Sequence, residues 1–179
     1  MILEQIPVLD DGALPGAVLT EVTELYASNR EFFALSGDFP DPDHITEEQV
    51  AAALADELAG PTTEVLLARS EGRLVGLAIT LGQHPDPEDP DPWIGLLLVD
   101  AERHRTGVGR QLVRLIEDRF RTAGREAVRL AVLENNDQAG WFWTNLDYEL
   151  IGYAKDLERQ RPCVLMRKEL NPTANTPSA

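Results

Sequence analysis

Residues 97–113, Leu-Leu-Val-Asp-Ala-Glu-Arg-His-Arg-Thr-Gly-Val-Gly-Arg-Gln-Leu-Val, restrict the fold more than any other stretch of the chain. An apolar run stops at Asp100, an arginine-rich turn follows, and Gly107 and Gly109 open an amphipathic segment. The order is strand, turn, helix. A helix start built on glycine leaves backbone N–H groups open to close approach, and the helix end adds roughly half a positive charge. Together these make a seat for an anion such as phosphate. Arg103, Arg105, Arg110 and Arg114 surround it, a local cluster of cations on a chain whose net charge is −15.

Two common phosphate loops are excluded. A dinucleotide fingerprint needs a third Gly or Ala where Leu112 stands and an acid about 20 residues on, where Ala127 stands. A Walker A loop needs Gly-Lys-Ser/Thr, which is absent. The acidic balance also disfavours nucleic acid, whose phosphates would be repelled overall, and favours a cationic partner such as an amine.

The chain has 179 residues, enough for one domain with one sizeable core. No apolar run approaches the roughly 20 residues that span a membrane. The N-terminus lacks the basic and apolar regions of a secretion signal, and the single cysteine, Cys163, cannot form an internal disulfide. A cytoplasmic protein is expected, with no membrane partner.

Residues 2–8 read as a first strand, and 16–34 as one helix with Val18, Val22, Leu25 and Tyr26 on a face. Residues 36–44 form a loop by their Gly, Pro and Asp content. Thr46 with Gln49 predicts a capping box opening a helix that runs to Leu58. Val65–Arg69 and Leu74–Leu81 predict a hairpin turning at Glu71-Gly72. The proline-rich acidic segment 83–92 can enter neither helix nor sheet interior. Trp93–Val99 is almost wholly apolar, as in a strand buried on both faces. The helix from Gly107 carries Val108, Leu112, Leu115, Ile116, Phe120 and Ala123 on one face and stops at Gly124. Alternation around Val128, Leu130 and Val132 gives another strand. Asn135-Asn136-Asp137 can cap a short helix holding Ala139, Phe142, Trp143 and Leu146, and Tyr148–Tyr153 and Cys163–Leu170 are the last strands. The expected class is α/β (α+β), one domain over residues 1–170 with a mixed sheet. Residues 171–179 should be a disordered tail.

Two of these segments resemble the motifs of one family. His104-Arg105-Thr106-Gly107-Val108-Gly109 looks like the Arg/Gln-x-x-Gly-x-Gly/Ala loop of the GNAT acetyltransferase superfamily, and Leu97-x-Val99 like the end of its central strand. Asn136-x-x-Ala139-x-x-Phe142-Trp143-x-x-Leu146-x-Tyr148 resembles its second motif. The likeness spans roughly residues 64 to 153. It implies a mostly antiparallel sheet of six to seven strands with about four helices, splayed between 93–99 and 127–133. It also implies acetyl-coenzyme A as co-substrate, without a metal. Its pyrophosphate would lie on the N–H groups of residues 105–110, and its pantetheine arm along Leu97, Leu98 and Val99. Asn136, Ala139 and Trp143 would flank the arm.

Three residues depart from the pattern. His104 replaces Arg or Gln, which weakens that contact or makes it pH-dependent. Asp147 replaces a usual Gly. Trp143 replaces the tyrosine that protonates the leaving thiolate in many members, and an indole N–H cannot do so. Trp143 then reads as packing.

Acyl transfer to an amine needs a neutral amine, a donor for the developing oxyanion and a route for the proton. By family analogy the donor is the Val99 N–H. The catalytic acid and base are not identified. Residues 93–99 contain no acid, leaving Glu134, His84 and the aspartates of the proline loop as candidates, each also readable as an ordinary surface group. Phe32, Phe33 and Trp93 could line an acceptor pocket or simply fill the core. Trp141 lies off the apolar face and could meet a second subunit in a homodimer. The primary expectation is N-acetylation of a small-molecule amine. A peptide or protein acceptor, or a non-catalytic acyl-coenzyme A-binding regulatory domain, are the alternatives.

Overall fold

The computed structural model describes residues 1–156 and 159–171. Among these residues seven strands and five α-helices follow one another. They are β1 (Ile2–Gln5), α1 (Gly16–Ser28), α2 (Arg30–Ser36), α3 (Glu47–Leu58), β2 (Thr63–Ser70), β3 (Arg73–Leu81), β4 (Trp93–Val99), α4 (Val108–Thr122), β5 (Ala127–Leu133), α5 (Asp137–Thr144), β6 (Glu149–Lys155) and β7 (Pro162–Glu169). The strands form one sheet in the order β1-β2-β3-β4-β5-β7-β6. Only β4 and β5 are parallel neighbours. The expected mixed, mostly antiparallel sheet is therefore present. Of the tail expected over residues 171–179, all but Asn171 lies outside the described residues. No helix among the described residues is long and apolar enough to cross a membrane.

Period-two alternation in β2 and β3 sends successive side chains to opposite faces of the sheet. Val65, Leu67, Leu77 and Ile79 pack with Val22, Leu25, Phe33, Val50 and Leu54 under α1–α3. Leu66, Ala68, Val75 and Ala78 pack with Leu112, Val113, Ile116 and Trp143 under α4 and α5. The apolar layer under α1–α3 includes no residue of β5, β6 or β7 among the described residues; beyond β4 that face is covered by polar contacts, with Asp89 and Asp91 on Arg129 and Arg167 at one end.

Several local signals act as the sequence requires. Thr46 Oγ1 accepts from Gln49 N at 3.3 Å, and Gln49 Oε1 accepts from Thr46 N at 2.9 Å, completing the capping box. Glu71 and Gly72 both have positive φ, 52° and 78°, the signature of a type I′ turn whose twist matches the hairpin it closes. Asp147, in the place of the usual glycine, also has φ 67°. Asp is one of the few non-glycine residues that tolerate this region.

Four expectations need correction. The helix over 16–34 breaks at Asn29, which is buried and donates from Nδ2 to Val99 O at 3.1 Å. That contact turns the chain and divides the expected helix into α1 and α2. The first strand ends at Gln5, because Val8 and Leu9 are exposed and leave the sheet. Ala123 is exposed at the end of α4, where the helix is already closing, and the buried face is Leu112, Val113, Ile116 and Glu117. Strand β4 is not buried on both faces. Only Ile94 and Leu98 are fully buried, because the sheet opens beside it.

Glu117 is 2% exposed, an unusual place for a carboxylate. It accepts from Lys168 Nζ at 2.9 Å, Arg121 Nη2 at 3.1 Å and Tyr148 Oη at 3.3 Å. Burial, and then the neighbouring Glu117, push the Tyr148 phenol well above its ordinary pKa. Burial raises Tyr26 likewise. The folded chain thus keeps two protons that the unfolded chain releases near pH 10. Stability is intact below about pH 10 and falls as pH rises beyond it. Urea midpoints should decline from about pH 10 upward, less steeply in Tyr148→Phe. A flat midpoint to about pH 11 would contradict these environments.

Candidate functional site

Strand β4 changes its bonding partner along its length. Its register against β3 slips between Ile79 and Thr80, so that Gly95 is an extra residue, a β-bulge. Against β5 it pairs only at Trp93↔Arg129 and Ile94↔Leu130. The bulge bends β4 just where pairing with β5 ends, and the two strands part. Gly95 inside an apolar run was the available sequence signal for this feature.

Asp100 N donates to Val75 O at 3.0 Å. In an antiparallel ladder this makes Val99↔Gly76 and Leu97↔Ala78 pairs whose polar groups point away from β3. Leu97 and Val99 therefore turn their N–H groups into the gap towards β5, where no ladder partner meets them. Their side chains are half-buried against the α4 layer. Leu98 is placed differently. Its backbone faces β3 and its side chain is buried under α1–α3.

The freed edge of β4 leads directly to the start of α4. Asp100 Oδ1 accepts from Glu102 N at 3.1 Å, starting a single helical turn at Ala101–Arg103. The chain then curls through Arg105, φ 62°, and Gly107, φ 92°. An Arg in the left-handed region is uncommon, and such curls turn successive N–H groups to one side. The first bond of α4 is Gln111 N to Gly107 O at 3.0 Å. The N–H groups of Gly107, Val108, Gly109 and Arg110 precede it and have no intrahelical acceptor.

The two glycines serve different ends. A Cβ on Gly107 would meet nothing within 4 Å, so its φ alone demands glycine. A Cβ on Gly109 would lie 3.3 Å from the Phe142 ring and 3.5 Å from Val99 Cγ2. Gly109 thus lets α4 close on α5 at the mouth of the gap. Asn136 caps α5, accepting from Ala139 N at 3.1 Å. Ala139 and Phe142 are half-buried against the same core, and Trp143 is buried edge-on between Phe142 and Tyr148. The two expected motifs are thereby brought to one opening.

Charge is concentrated at the same place, although Arg73 and Arg125 elsewhere also hold no carboxylate among the described residues. Arg69, Arg119, Arg121, Arg129, Arg161 and Arg167 all hold carboxylates. Among the described residues Arg103, Arg105, Arg110 and Arg114 hold none. His104 is exposed, and its Nε2 lies 2.9 Å from Val99 O, the carbonyl that Asn29 also holds. Thr106 Oγ1 donates to Arg103 O at 2.6 Å and stiffens the turn.

Of the candidate bases, only Glu134 lies at the open end, exposed where β5 finishes. His84 and the aspartates of the proline loop sit at the opposite end of β4. His84 stacks on Trp93 with centroids 4.6 Å apart. Asp89 accepts from Trp93 Nε1 at 2.8 Å, and Asp91 holds Arg129 and Arg167. They and Trp93 brace the start of β4. Phe33 is core, and Phe32 packs at its margin. Among the described residues no group of three or more His, Cys, Asp or Glu is arranged to hold a metal.

Beyond β4 on the α1–α3 face, Asn135 Nδ2 donates to Leu35 O at 3.3 Å, joining the end of β5 to α2. Arg161, in the loop before β7, bonds Asp38 Oδ1 at 2.7 Å, and Arg159 Nη1 bonds Gly37 O at 2.6 Å. These ties narrow the approach to the gap from that side. Sequence reasoning missed them because each joins residues about a hundred or more positions apart.

The sequence model of the acetyltransferase (GNAT) family matches residues 22–155. Solved structures share the fold. An acetyltransferase from Thermus thermophilus is 20% identical, with a TM-score of 0.68 over 94% of this chain and 97% of that one. The ribosomal-protein-S18-alanine N-acetyltransferase from Escherichia coli is 15% identical, with a TM-score of 0.62 over 99% of each chain. An aminoglycoside 6′-N-acetyltransferase complexed with coenzyme A is 16% identical, with a TM-score of 0.61 over 97% of this chain and 99% of that one. No curated protein matches the chain in sequence at a significant level.

Proposed function

Since the chain belongs to the GNAT acetyltransferase family, we propose that it transfers the acetyl group of acetyl-coenzyme A to the primary amine of a small molecule. The observation that carries this reading is the continuity of the gap. The unpaired edge at Leu97 and Val99 runs into the free N–H groups at 107–110, and Arg103, Arg105, Arg110 and Arg114, near them in sequence, hold no carboxylate among the described residues. A relative of the same fold binds coenzyme A. The residues present fit such a co-substrate: an amide-bearing arm beside a strand edge that lacks a partner, and a pyrophosphate at a cationic helix start.

Acetyl-coenzyme A supplies an activated acetyl thioester. Leu97 and Val99 hold the arm in the manner of a missing strand. Residues 105–110 and the arginines hold the pyrophosphate. His104 and Asn29, both on the Val99 carbonyl, fix the peptide that ends β4. Asn136, Ala139, Phe142 and the buried Trp143 form the wall on the α5 side. The Val99 N–H faces the gap and donates to the carbonyl oxygen as negative charge builds there. Glu134 takes the proton of the acceptor ammonium through water. Neither buried tyrosine can protonate the leaving thiolate, since burial keeps Tyr26 and Tyr148 away from the gap and their protons tightly held, so the proton shed by the acylated nitrogen passes through water to the departing thiolate.

The acceptor enters from the α1–α3 face beyond β4, between α2 and residues 159–161. The ties of Arg159 and Arg161 narrow that entrance, which favours a small amine over a folded protein. The net charge of −15 draws in a cation. Solved relatives of this fold act on aminoglycosides and on a ribosomal protein. The test is thiol release from acetyl-coenzyme A against a panel of polyamines, aminoglycosides, amino acids and N-terminal peptides. Turnover with a small amine and not with peptides is expected. Coenzyme A binding without turnover on any acceptor would leave the binding-domain reading instead.

A further inference from the structure

The part of the sheet that faces an incoming acceptor is ordered in rows. Val128, Leu130 and Val132 of β5, with Val164 and Met166 of β7, pack in the core under α4 and α5. Side chains alternate along a strand, so Arg129, Ala131 and Leu133, with Cys163, Leu165 and Arg167, lie on the α1–α3 face. Residues directly opposite in an antiparallel ladder share a face. The pairing of β5 with β7, and of β7 with β6, then sets three rows across the strands. They are Arg129, Arg167 and Glu149; Ala131, Leu165 and Gly152; and Leu133, Cys163 and Ala154.

The rows differ in kind. The first stands where β4 and β5 are still paired, at Trp93↔Arg129. Its charges are met: Asp91 accepts from Arg129 at 2.9 Å and from Arg167 at 2.7 Å, and Asp89 lies 3.1 Å from Arg129. The other two rows carry no charge. Their only polar side-chain group is the buried Cys163 thiol, which donates to Arg161 O. Ala131 and Ala154 are exposed, while Leu133, Gly152 and Leu165 are half-buried. A Cβ on Gly152 would meet nothing within 4 Å, so the space over this row is open. Beyond the rows the carboxylates are taken again, since Asp38 and Asp156 both hold Arg161. Glu149 stands opposite Arg167 on the outermost strand. Glu134, where β5 ends at the gap, is exposed and holds no cation among the described residues.

These uncharged rows continue the gap. The Val99 N–H turns towards the end of β5, where Leu133 and Glu134 stand. An amine placed there has one carboxylate near it, and whatever it is attached to extends over apolar side chains. Two rows advance about 7 Å along the strands and three strands span about 10 Å, room for one ring or a short alkyl chain. A second ammonium over these rows would lose water and gain no counter-ion.

We propose that the acceptor is a monoamine with an apolar body, alkyl or aryl, which lies over Ala131, Leu133, Leu165 and Ala154 while its nitrogen meets the thioester beside Val99. This rests on the acetyl-transfer reading and names the kind of amine. The nitrogen bonds the acetyl carbon and the C–S bond breaks, giving an N-substituted acetamide and coenzyme A thiol. Of the two protons that the ammonium gives up, one leaves through Glu134 and one ends on sulfur.

The test is thiol release with hexylamine, phenethylamine, hexamethylenediamine and spermidine, beside calorimetry of coenzyme A binding. Hexylamine and hexamethylenediamine differ in the second ammonium alone. The kcat/KM for hexylamine should exceed that for the diamine about tenfold or more. From ethylamine to hexylamine it should rise by up to about fourfold per buried methylene. Ala131→Asp places a carboxylate on the exposed floor. It should lower kcat/KM for hexylamine about tenfold and shift the preference towards the diamine, with coenzyme A affinity unchanged. Ala154→Asp, on the outermost strand, should shift it less. Far-UV circular dichroism confirms that each variant is folded. A wild-type preference for the diamine, for spermidine or for an N-terminal peptide would overturn the proposal and leave acetyl transfer standing. So would a preference that neither variant moves. Coenzyme A binding without turnover of any amine would overturn the acetyl-transfer reading, and this proposal with it.

Discussion

Reversing two charges at the start of α4, Arg105→Glu with Arg110→Glu, is expected to weaken coenzyme A binding by at least about a hundredfold. Hydrogen bonds from charged donors contribute about 1.5–3 kcal/mol each, so losing two corresponds to two or more decades of affinity. The new carboxylates also repel phosphate. Neither arginine has an ion pair among the described residues, and both are exposed. The melting temperature should therefore barely move, which separates lost binding from lost folding. Titration calorimetry at two salt concentrations adds a second reading. Wild-type affinity should fall with salt, and the variant's should fall less. Unchanged affinity in the variant would move the phosphate elsewhere and remove the basis of the functional reading.

The second large effect concerns Glu117. Glu117→Ala leaves the Lys168 ammonium and the Tyr148 hydroxyl without their carboxylate beneath α4. Arg121 retains Asp118 at 2.6 Å and the Leu170 carbonyl at 2.8 Å. Breaking a buried pair by removing one partner typically costs about 3–5 kcal/mol, a large part of the roughly 5–15 kcal/mol that holds a domain folded. Urea denaturation should show this loss. Replacing Glu117 and Lys168 together by methionine should recover much of it, since an apolar pair avoids the cost of burying charge. If Glu117→Ala lost less than about 1 kcal/mol, water would have to reach the carboxylate.

What the sequence disclosed follows the range of the interactions involved. The Thr46–Gln49 box, the Glu71-Gly72 turn and the glycine start at Gly107 are local, and residue types at fixed spacing report them. Asn29 illustrates the opposite case. Helical periodicity runs through it without interruption, yet the helix ends there because its amide is held by a carbonyl 70 residues away. Glu117 reads as a solvated helix charge until Lys168 and Tyr148 arrive from other elements. Strand β4 looks like the centre of a closed sheet because its residues are apolar. Only the register of β5 reveals that half of it borders a gap. For the site, the glycines, the arginines and both motifs were legible from their chemistry. The removal of His84 from the opening, and the ties of Arg159 and Arg161 across it, required the fold.

The sheet is held across its middle by two residue pairs, Trp93↔Arg129 and Ile94↔Leu130. The strands β1 to β4 and the strands β5 to β7 are thus two units joined by a short backbone seam and by the common core under α4 and α5. The first builds a meander of sequence-local hairpins after α3. The second closes only when β7 inserts between β5 and β6. A molecule lodged in the seam touches both units, so its binding energy is also cohesion between them. Amide hydrogens on the far side of β5 and β7 should then exchange more slowly when the gap is filled, although nothing bound there touches them.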